Sequence, residues 1–287
     1  MSVPSKPSIV FGDFELTILS DGTYLLDGGA MFGVVPKPMW EKKIKADQQN
    51  RIVCGTNSVL VRTASGKTVL IETGIGNKLP EKLAGIYQCQ AQLLNSFAAA
   101  QVKPEEVDIV INSHLHFDHC GWNTHRQGNE VVPTFPNARY FAQRGEWEHG
   151  QAQYERDRIS YISDNYDPLV RTGQMQLLEG DAKIMPGISV AIFPGHTRNL
   201  MAIMLQSGGK TACYISDVIP TTAHLDLAWV MAYDLYPLEN IESRKRFYSQ
   251  ALPEDWLVIF THDHQTPLAY LRRDEKGRIV ARPPEIP

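Results

Sequence analysis

The stretch His114-Leu115-His116-Phe117-Asp118-His119 sets four candidate metal ligands within six residues, close behind the apolar run at 107–111. In an extended chain His114, His116 and Asp118 point to one side, because side chains alternate along a strand. His119 breaks that alternation, so the backbone must turn there and offers groups to two adjacent points in space. Imidazole and carboxylate together suit zinc, iron and manganese, whereas calcium and magnesium prefer oxygen alone. A merely polar loop explains the stretch poorly. Three imidazoles and a carboxylate this close repel one another on protonation and solvate badly without a partner. The cluster reads as a metal site at the end of a buried strand.

Working outward, three further apolar runs end in the same way. Residues 189–193 lead into Pro194-Gly195-His196-Thr197, residues 211–216 into Asp217, and residues 256–260 into Thr261-His262-Asp263-His264. Each reads as a buried strand that releases a His or an Asp where it stops. Function collects on loops held by a rigid sheet, so the expected pocket holds His114, His116, Asp118, His119, His196, Asp217 and His262. Five His and two Asp exceed the needs of one tetrahedral ion and suit two ions that share a bridging carboxylate. His264 falls on the same face as His262 if that segment is extended. His262 is preferred because it leaves the strand first.

The rest of the chain supplies strands and helices in two successive sets. Residues 15–19 and 23–26 read as a hairpin around Asp21-Gly22, and 58–64 with 68–72 as a second around Ser65-Gly66-Lys67. Residues 79–101 carry apolar side chains at helical spacing. After the metal loop come a strand at 138–141, a helix from Gln143 and a polar stretch reaching Pro168. The second set runs through 175–178, 188–193, 200–205 and 211–216 to a helix at 238–251. The strand at 256–260 and a last hairpin, 268–272 with 278–281, close it. Strands then a helix, twice over, predict an α/β fold: two mixed sheets face to face with helices outside, an αββα sandwich. We read residues 1–287 as a single domain, with 27–50 as a flap over the metal mouth, because its Met31, Phe32 and Trp40 need something to cover.

The ordered set of HxHxDH, Pro-Gly-His-Thr, a lone Asp after a strand and a terminal His-Asp resembles the metallo-β-lactamase superfamily of metallo-hydrolases, from about Asn57 to His264. The surrounding words, His119-Cys120-Gly121-Trp122-Asn123 and Phe260-Thr261-His262-Asp263, are similar to its N-acyl-homoserine-lactone lactonase (quorum-quenching) branch. The resemblance implies the same αββα sandwich. It also implies that His114, His116 and His196 hold one ion, that Asp118, His119 and His262 hold a second, and that Asp217 lies between them. Two departures from that family stand out. Its lactonases carry a Tyr three residues after the bridging Asp, where this chain has Pro220, and His224 is the candidate to take that role. Glu72 stands where the family commonly has an Asp that supports the metal loop.

The expected cofactors are two divalent transition-metal ions, zinc foremost, with iron, manganese or cobalt as alternatives. Such ions lower the pKa of a shared water to about 7 and hold a developing oxyanion. A metal-bridging hydroxide would attack a lactone or ester carbonyl, with Asp118 as ligand and catalytic proton shuttle. Candidate substrate contacts are Phe32, Trp122, His224 and Trp229, with Asp226, Tyr233 and Asp234 shaping the pocket. The competing readings are a phosphotriesterase or arylesterase, and a non-catalytic metal-binding protein, for which four ligands would suffice.

Composition narrows the partners. The 287 residues are 43% hydrophobic, enough for a sizeable core. A formal charge of −4 and a pI near 6.1 argue against nucleic acid. No run approaches the roughly 18 apolar residues of a membrane span. Cys54, Cys89, Cys120 and Cys213 lack paired spacing, and no leader-like stretch follows Met1. A cytoplasmic protein with reduced thiols is expected, Cys120 and Cys213 being buried fillers. The expected partner is a small-molecule ester or lactone, and the Met- and Trp-bearing loops are compatible with a homodimer.

Overall fold

Val, Ile and Leu dominate the strand segments, as suits a pleated surface packed on both sides. The computed structural model, which describes residues 8–285, arranges these segments in two seven-stranded sheets. The chain gives β1 (Ser8–Phe11), β2 (Phe14–Asp27), β3 (Arg51–Thr63), β4 (Thr68–Ile71) and β5 (Ile109–Ile111). It continues with β6 (Thr124–Gln127), β7 (Glu130–Pro133), β8 (Arg139–Gln143) and β9 (Met175–Leu178). The first sheet has the order β1-β2-β3-β4-β5-β8-β9, while β6 and β7 form a separate ribbon. The second half supplies β10 (Ala182–Met185), β11 (Ile188–Ile192), β12 (Met201–Ser207) and β13 (Lys210–Tyr214). β14 (Leu257–Ile259), β15 (Leu268–Arg273) and β16 (Ile279–Arg282) complete a second sheet in sequential order.

Parallel neighbours need a crossover, and helices provide it. α1 (Gly28–Phe32) and α2 (Lys37–Trp40) lie between β2 and β3, and α3 (Glu81–Tyr87) and α4 (Leu93–Ala99) bridge the parallel pair β4 and β5. α5 (Phe117–Cys120) follows β5, α6 (Arg144–Ala152) and α7 (Asp167–Arg171) join the parallel β8 and β9, and α8 (Pro237–Ala251) joins the parallel β13 and β14. Between the sheets Leu16, Ile18, Val59, Val61 and Ile111 meet Val190, Ile203, Leu205, Tyr214 and Ile259. On the outer faces Leu93 and Phe97 of α4 cover Leu60, Leu70 and Val110, and Phe247 and Tyr248 of α8 cover Ala202, Cys213 and Val258. Each fully buried aliphatic or Phe side chain contributes about 1.5–3 kcal/mol relative to exposure. The α/β sandwich of two mixed sheets expected from the sequence is the architecture found.

Three local expectations change. Residues 15–26 form one continuous strand, because Asp21-Gly22 is a bulge within the ladder to β3 and not a turn: the register slips between Ser20↔Asn57 and Thr23↔Gly55. Residues 79–101 form two short helices, since Gln88 and Ala91 adopt left-handed backbone with φ of 52° and 51°. In the segment 27–50, Met31, Phe32 and Trp40 pack into one cluster with Tyr24, Ile52, Ile75 and Met231. The expectation about the stretch after Met1, and both ends of the 1–287 domain, lie outside the described residues.

Candidate metal centre

Four strand ends converge at one edge of the sandwich. Beyond β5 the chain bends at Ser113 and His114, is extended again at His116, and enters α5 at Phe117, so Asp118 and His119 stand on a helical turn. The straight alternation expected from His114 to Asp118 is therefore broken by a bend at its start and by a helix at its end. After β11, Gly195 has φ of 150° and passes so close to α8 that a Cβ would lie 2.4 Å from the Asn240 Cα, which only glycine tolerates. That passage delivers His196. β13 delivers Asp217, and β14 delivers His262. Two non-glycine residues here hold left-handed backbone, Glu72 after β4 (φ 60°) and Ser216 before Asp217 (φ 52°). Such strain costs on the order of 1–3 kcal/mol per residue and gathers where function over-determines the backbone.

The seven side chains expected from the sequence are brought together. His196 Nε2 lies 3.1 Å from His116 Nδ1 and 3.3 Å from Asp217 Oδ2. On the other side of Asp217, its Oδ1 is 3.1 Å from His262 Nε2, and its Oδ2 is 3.6 Å from His119 Nε2. Asp118 Oδ2 stands 3.7 Å from His262 Nε2 and 3.8 Å from His119 Nε2. Three groups of ligand atoms, each within 4.8 Å of one another, emerge: His114, His116 and His196; Asp118, His119 and His262; and Glu72 with His114 and His119. Nitrogens bound to zinc at about 2.0–2.1 Å in a tetrahedron stand roughly 3.3 Å apart, and the pairs here, at 3.1–3.8 Å, bracket that spacing.

Orphaned atoms supply the test of fit. His114 Nε2, His116 Nε2, both nitrogens of His119 and Asp217 Oδ1 are buried with no hydrogen-bond partner. Burying so many unpaired polar atoms at one point is costly, and a cation would satisfy several of them at once. The tautomers agree with this. His262 Nδ1 donates to the Gly55 carbonyl at 2.9 Å, and His196 Nδ1 donates to Asp234 Oδ1 at 3.0 Å, which leaves each Nε2 lone pair free for a ligand. The donor set fits transition-metal ions.

The electrostatics point the same way. Burial, reinforced by the neighbouring imidazoles, pushes His114 and His116 far below the ordinary histidine range. Burial also opposes charge on His119, His196 and His262, yet the adjacent carboxylates, Asp217 foremost, outweigh it and hold all three above that range. Asp217 is buried, but its three imidazole neighbours hold it well below the usual carboxylate range. The pocket is built around an anion that demands positive charge.

Supporting residues hold the ligands in place. Glu72 Oε1 accepts from the Ser113 amide at 2.9 Å and sits 3.5 Å from His119 Nδ1, while Oε2 accepts from Asn112 Nδ2 at 3.3 Å. With Glu in place of Asp, the carboxylate braces the metal loop. Ser113 Oγ joins His114 Nδ1 (2.9 Å) to Ser216 Oγ (2.7 Å). Buried Glu146 of α6 accepts from Thr197 Oγ1, Tyr161 Oη and the Leu115 amide, tying the loops of His116 and His196 together. Asp234, expected as a pocket wall, instead orients His196 and is itself held by Asn240.

A cleft with about 190 Å³ of water-accessible space opens over the cluster. Its walls include Tyr24, Leu26, Met31, Tyr87, Phe117 and Tyr233, and His116, Asp118, His196, Asp217 and His262 stand among its lining residues. The four substrate contacts expected from the sequence do not line it. Phe32 is wholly buried, its ring stacked on His224 at 4.5 Å and on Trp40 at 5.1 Å. Trp122 is buried in the helix-side core with its indole N–H donated to Asp21. His224 has both ring nitrogens engaged, with Thr221 Oγ1 at 2.7 Å and the Met31 carbonyl at 2.9 Å, so it does not replace the missing Tyr. Trp229 packs edge-on to Phe32 and carries Lys43 over its ring, and Asp226 pairs with that lysine. His264 belongs to none of the ligand groups, and Cys120 Sγ faces the Leu115 and His116 carbonyls. The sequence reading missed Tyr24, whose hydroxyl lies 2.7 Å from Asp118 Oδ2 and 3.3 Å from His262 Nδ1. A bulge signal at Asp21-Gly22 could have found it.

Known proteins are similar to this chain in sequence and fold. An N-acyl homoserine lactonase from Bacillus cereus is 30% identical over 168 residues, 56% of this chain and 58% of its own length. A second from a Bacillus species is 28% identical over 60% of this chain and 62% of its own, so the chain spans about three-fifths of these relatives. A probable metal-dependent hydrolase from Staphylococcus aureus superposes with a TM-score of 0.85 at 30% identity, covering 97% of this chain and all of its own. A dizinc quorum-quenching lactonase shares the fold over both full chains, with a TM-score of 0.82 at 20% identity. The model of the metallo-beta-lactamase superfamily matches residues 51–262, nearly three-quarters of the sequence and every residue of the converging cluster, and the chain belongs to that superfamily.

Proposed function

We propose that the protein is a metal-dependent hydrolase that opens a lactone or cleaves an ester with an apolar acyl group, N-acyl homoserine lactones being the first substrates to test. The observation that carries this reading is the set of orphaned imidazole and carboxylate atoms converging at the base of an aromatic-walled cleft. His114, His116 and His196 would hold one ion, Asp118, His119 and His262 a second, with Asp217 shared. Zinc is favoured by the ligand set, and iron, manganese and cobalt fit it too. When bound, such ions supply Lewis acidity, making water nucleophilic near neutral pH and stabilising charge on a carbonyl oxygen.

The chain's own residues do the remainder. Tyr87 stacks on Phe117 at 5.8 Å, and with Tyr233, Met31 and Leu26 they form an apolar wall that takes the acyl chain and holds the carbonyl near Asp118. Asp118 keeps 13% of its side chain exposed, whereas the other six of the seven are buried, and it stands where a proton passes to the leaving group. Four free cysteines fit a reducing compartment. The test is a panel with metal-replete protein: acyl homoserine lactones of several chain lengths, aryl esters and a phosphate triester. Turnover of lactones well above the triester is the expected result, and turnover of the triester alone would replace this reading with a phosphotriesterase.

A further inference from the structure

The lactonase position three residues after Asp217 is Pro220, whose carbonyl accepts the His262 amide at 3.0 Å and whose ring offers no donor. The cluster nonetheless has a phenol. Tyr24 reaches it from β2, on the far side of the sandwich sequence from Pro220, and is 1% exposed. Before the bulge Leu16 and Ile18 share the sheet–sheet face with Val59 and Val61. After it Tyr24 and Leu26 stand opposite Cys54 and Ile52 and join the cluster beside the cleft. One inserted residue reverses which face a side chain takes, so the bulge is what turns Tyr24 toward the ligands.

Proton directions around Tyr24 follow from its partners. His262 Nδ1–H is directed at the Gly55 carbonyl and grazes the Tyr24 oxygen at 3.3 Å, so that oxygen accepts there and its own O–H is donated to Asp118 Oδ2. Oδ2 is also the Asp118 oxygen nearest His119 and His262. Among the described residues no donor holds Oδ1. The two oxygens of one carboxylate are therefore unequal: Oδ2 is pinned by a phenol on the ligand side, and Oδ1 is left for the cleft.

We infer that Tyr24 is a positioning residue that fixes the Asp118 carboxylate so that Oδ1 is the atom that carries a proton to the leaving group. This rests on the hydrolase reading above. In the balanced step, water forms a C–O bond to the carbonyl carbon and gives one proton to Asp118 Oδ1; the carbonyl then re-forms as the leaving C–O bond breaks, its electron pair goes to the departing oxygen, and that oxygen takes the proton from Oδ1, returning Asp118 to the carboxylate. An alkoxide leaving group, as in a lactone, needs that proton; a nitrophenolate departs without one.

Tyr24→Phe removes only the hydroxyl. The expected result is a kcat for lactones lower by about ten- to a hundredfold with KM little changed, a much smaller loss on nitrophenyl esters, and unchanged metal content by elemental analysis. Replacing Tyr24 with 3-fluorotyrosine, which keeps the hydroxyl at the same reach, is the second variant and keeps the lactone-to-aryl-ester ratio near that of the wild type. Equal losses on both substrates, loss of metal, or no loss at all in Tyr24→Phe would overturn the assignment. If Tyr24→Phe does not fold, a collapsed ratio in the metal-loaded 3-fluorotyrosine protein would overturn it instead. Wild-type protein that turns over neither substrate class defeats the hydrolase reading itself, and this role with it.

Discussion

His224 carries its meaning in its burial. Burial and the Arg244 guanidinium push it down to about 3, and both ring nitrogens are already bonded. The folded state therefore binds this proton far more weakly than the unfolded chain, whose histidine titrates near 6.5. Stability contributed by neutral His224 is fully present above that value and is lost as pH falls from about 6.5 towards 3, with a slope of up to about 1.4 kcal/mol per pH unit. His224→Asn should remove that component. The difference in unfolding free energy between wild type and variant, in the same metal state, should shrink steadily on acidification from pH 7 to 4.5, and a constant difference would show that His224 does not titrate this way. From sequence alone His224 looked like a catalytic stand-in, because its distance from Asp217 along the chain was visible and the stacking of Phe32 on it was not.

Among elements, β2 shows both how much was legible and where reading failed. The ligand-bearing strands were readable because each is a short apolar run with an abrupt polar end, a local pattern that tertiary structure leaves alone. The Asp-Gly in β2 gave the same local signal as a hairpin turn, and only contacts distant in sequence decide otherwise. Asp21 accepts from the amides of Leu93 (2.6 Å), Ile75 (2.8 Å) and Gly76 (3.1 Å) and from the Trp122 indole (2.9 Å), so its side chain goes inward and the strand runs on. Asp21→Ala would leave four buried donors without an acceptor and should cost on the order of 3–5 kcal/mol in denaturant unfolding. A loss below about 1 kcal/mol would mean that the bulge does not depend on this carboxylate. The flap expected at 27–50 failed for a related reason: its apolar residues are used up against one another and against His224, and only Met31 reaches the cleft. Phe32→Ala should accordingly destabilise the protein by about 3–5 kcal/mol and act alike on all chain lengths. Tyr233→Ala should raise KM for long acyl chains and spare short ones, and the reverse pattern in steady-state kinetics would return Phe32 to the substrate.

Across the whole molecule, candidate ligands from both sheets meet at one edge. Asp118 and His119 hang on the first sheet, while His196, Asp217 and His262 hang on the second. The sandwich, and the convergence of the seven side chains, could be read from the sequence because ligand chemistry is conspicuous. The cleft walls could not, since Tyr24, Tyr87, Phe117 and Tyr233 come from four unconnected segments with nothing in their local pattern to link them. An ion held at this junction binds only the folded chain, so chelation should lower Tm and added metal should restore it. The most direct measurement is the metal content of purified, chelator-free protein by elemental analysis, beside His116→Ala and Asp217→Ala. The account predicts close to two transition-metal ions per chain in the wild type and a clear fall in both variants. Full metal content in both variants, or none in the wild type, would contradict it.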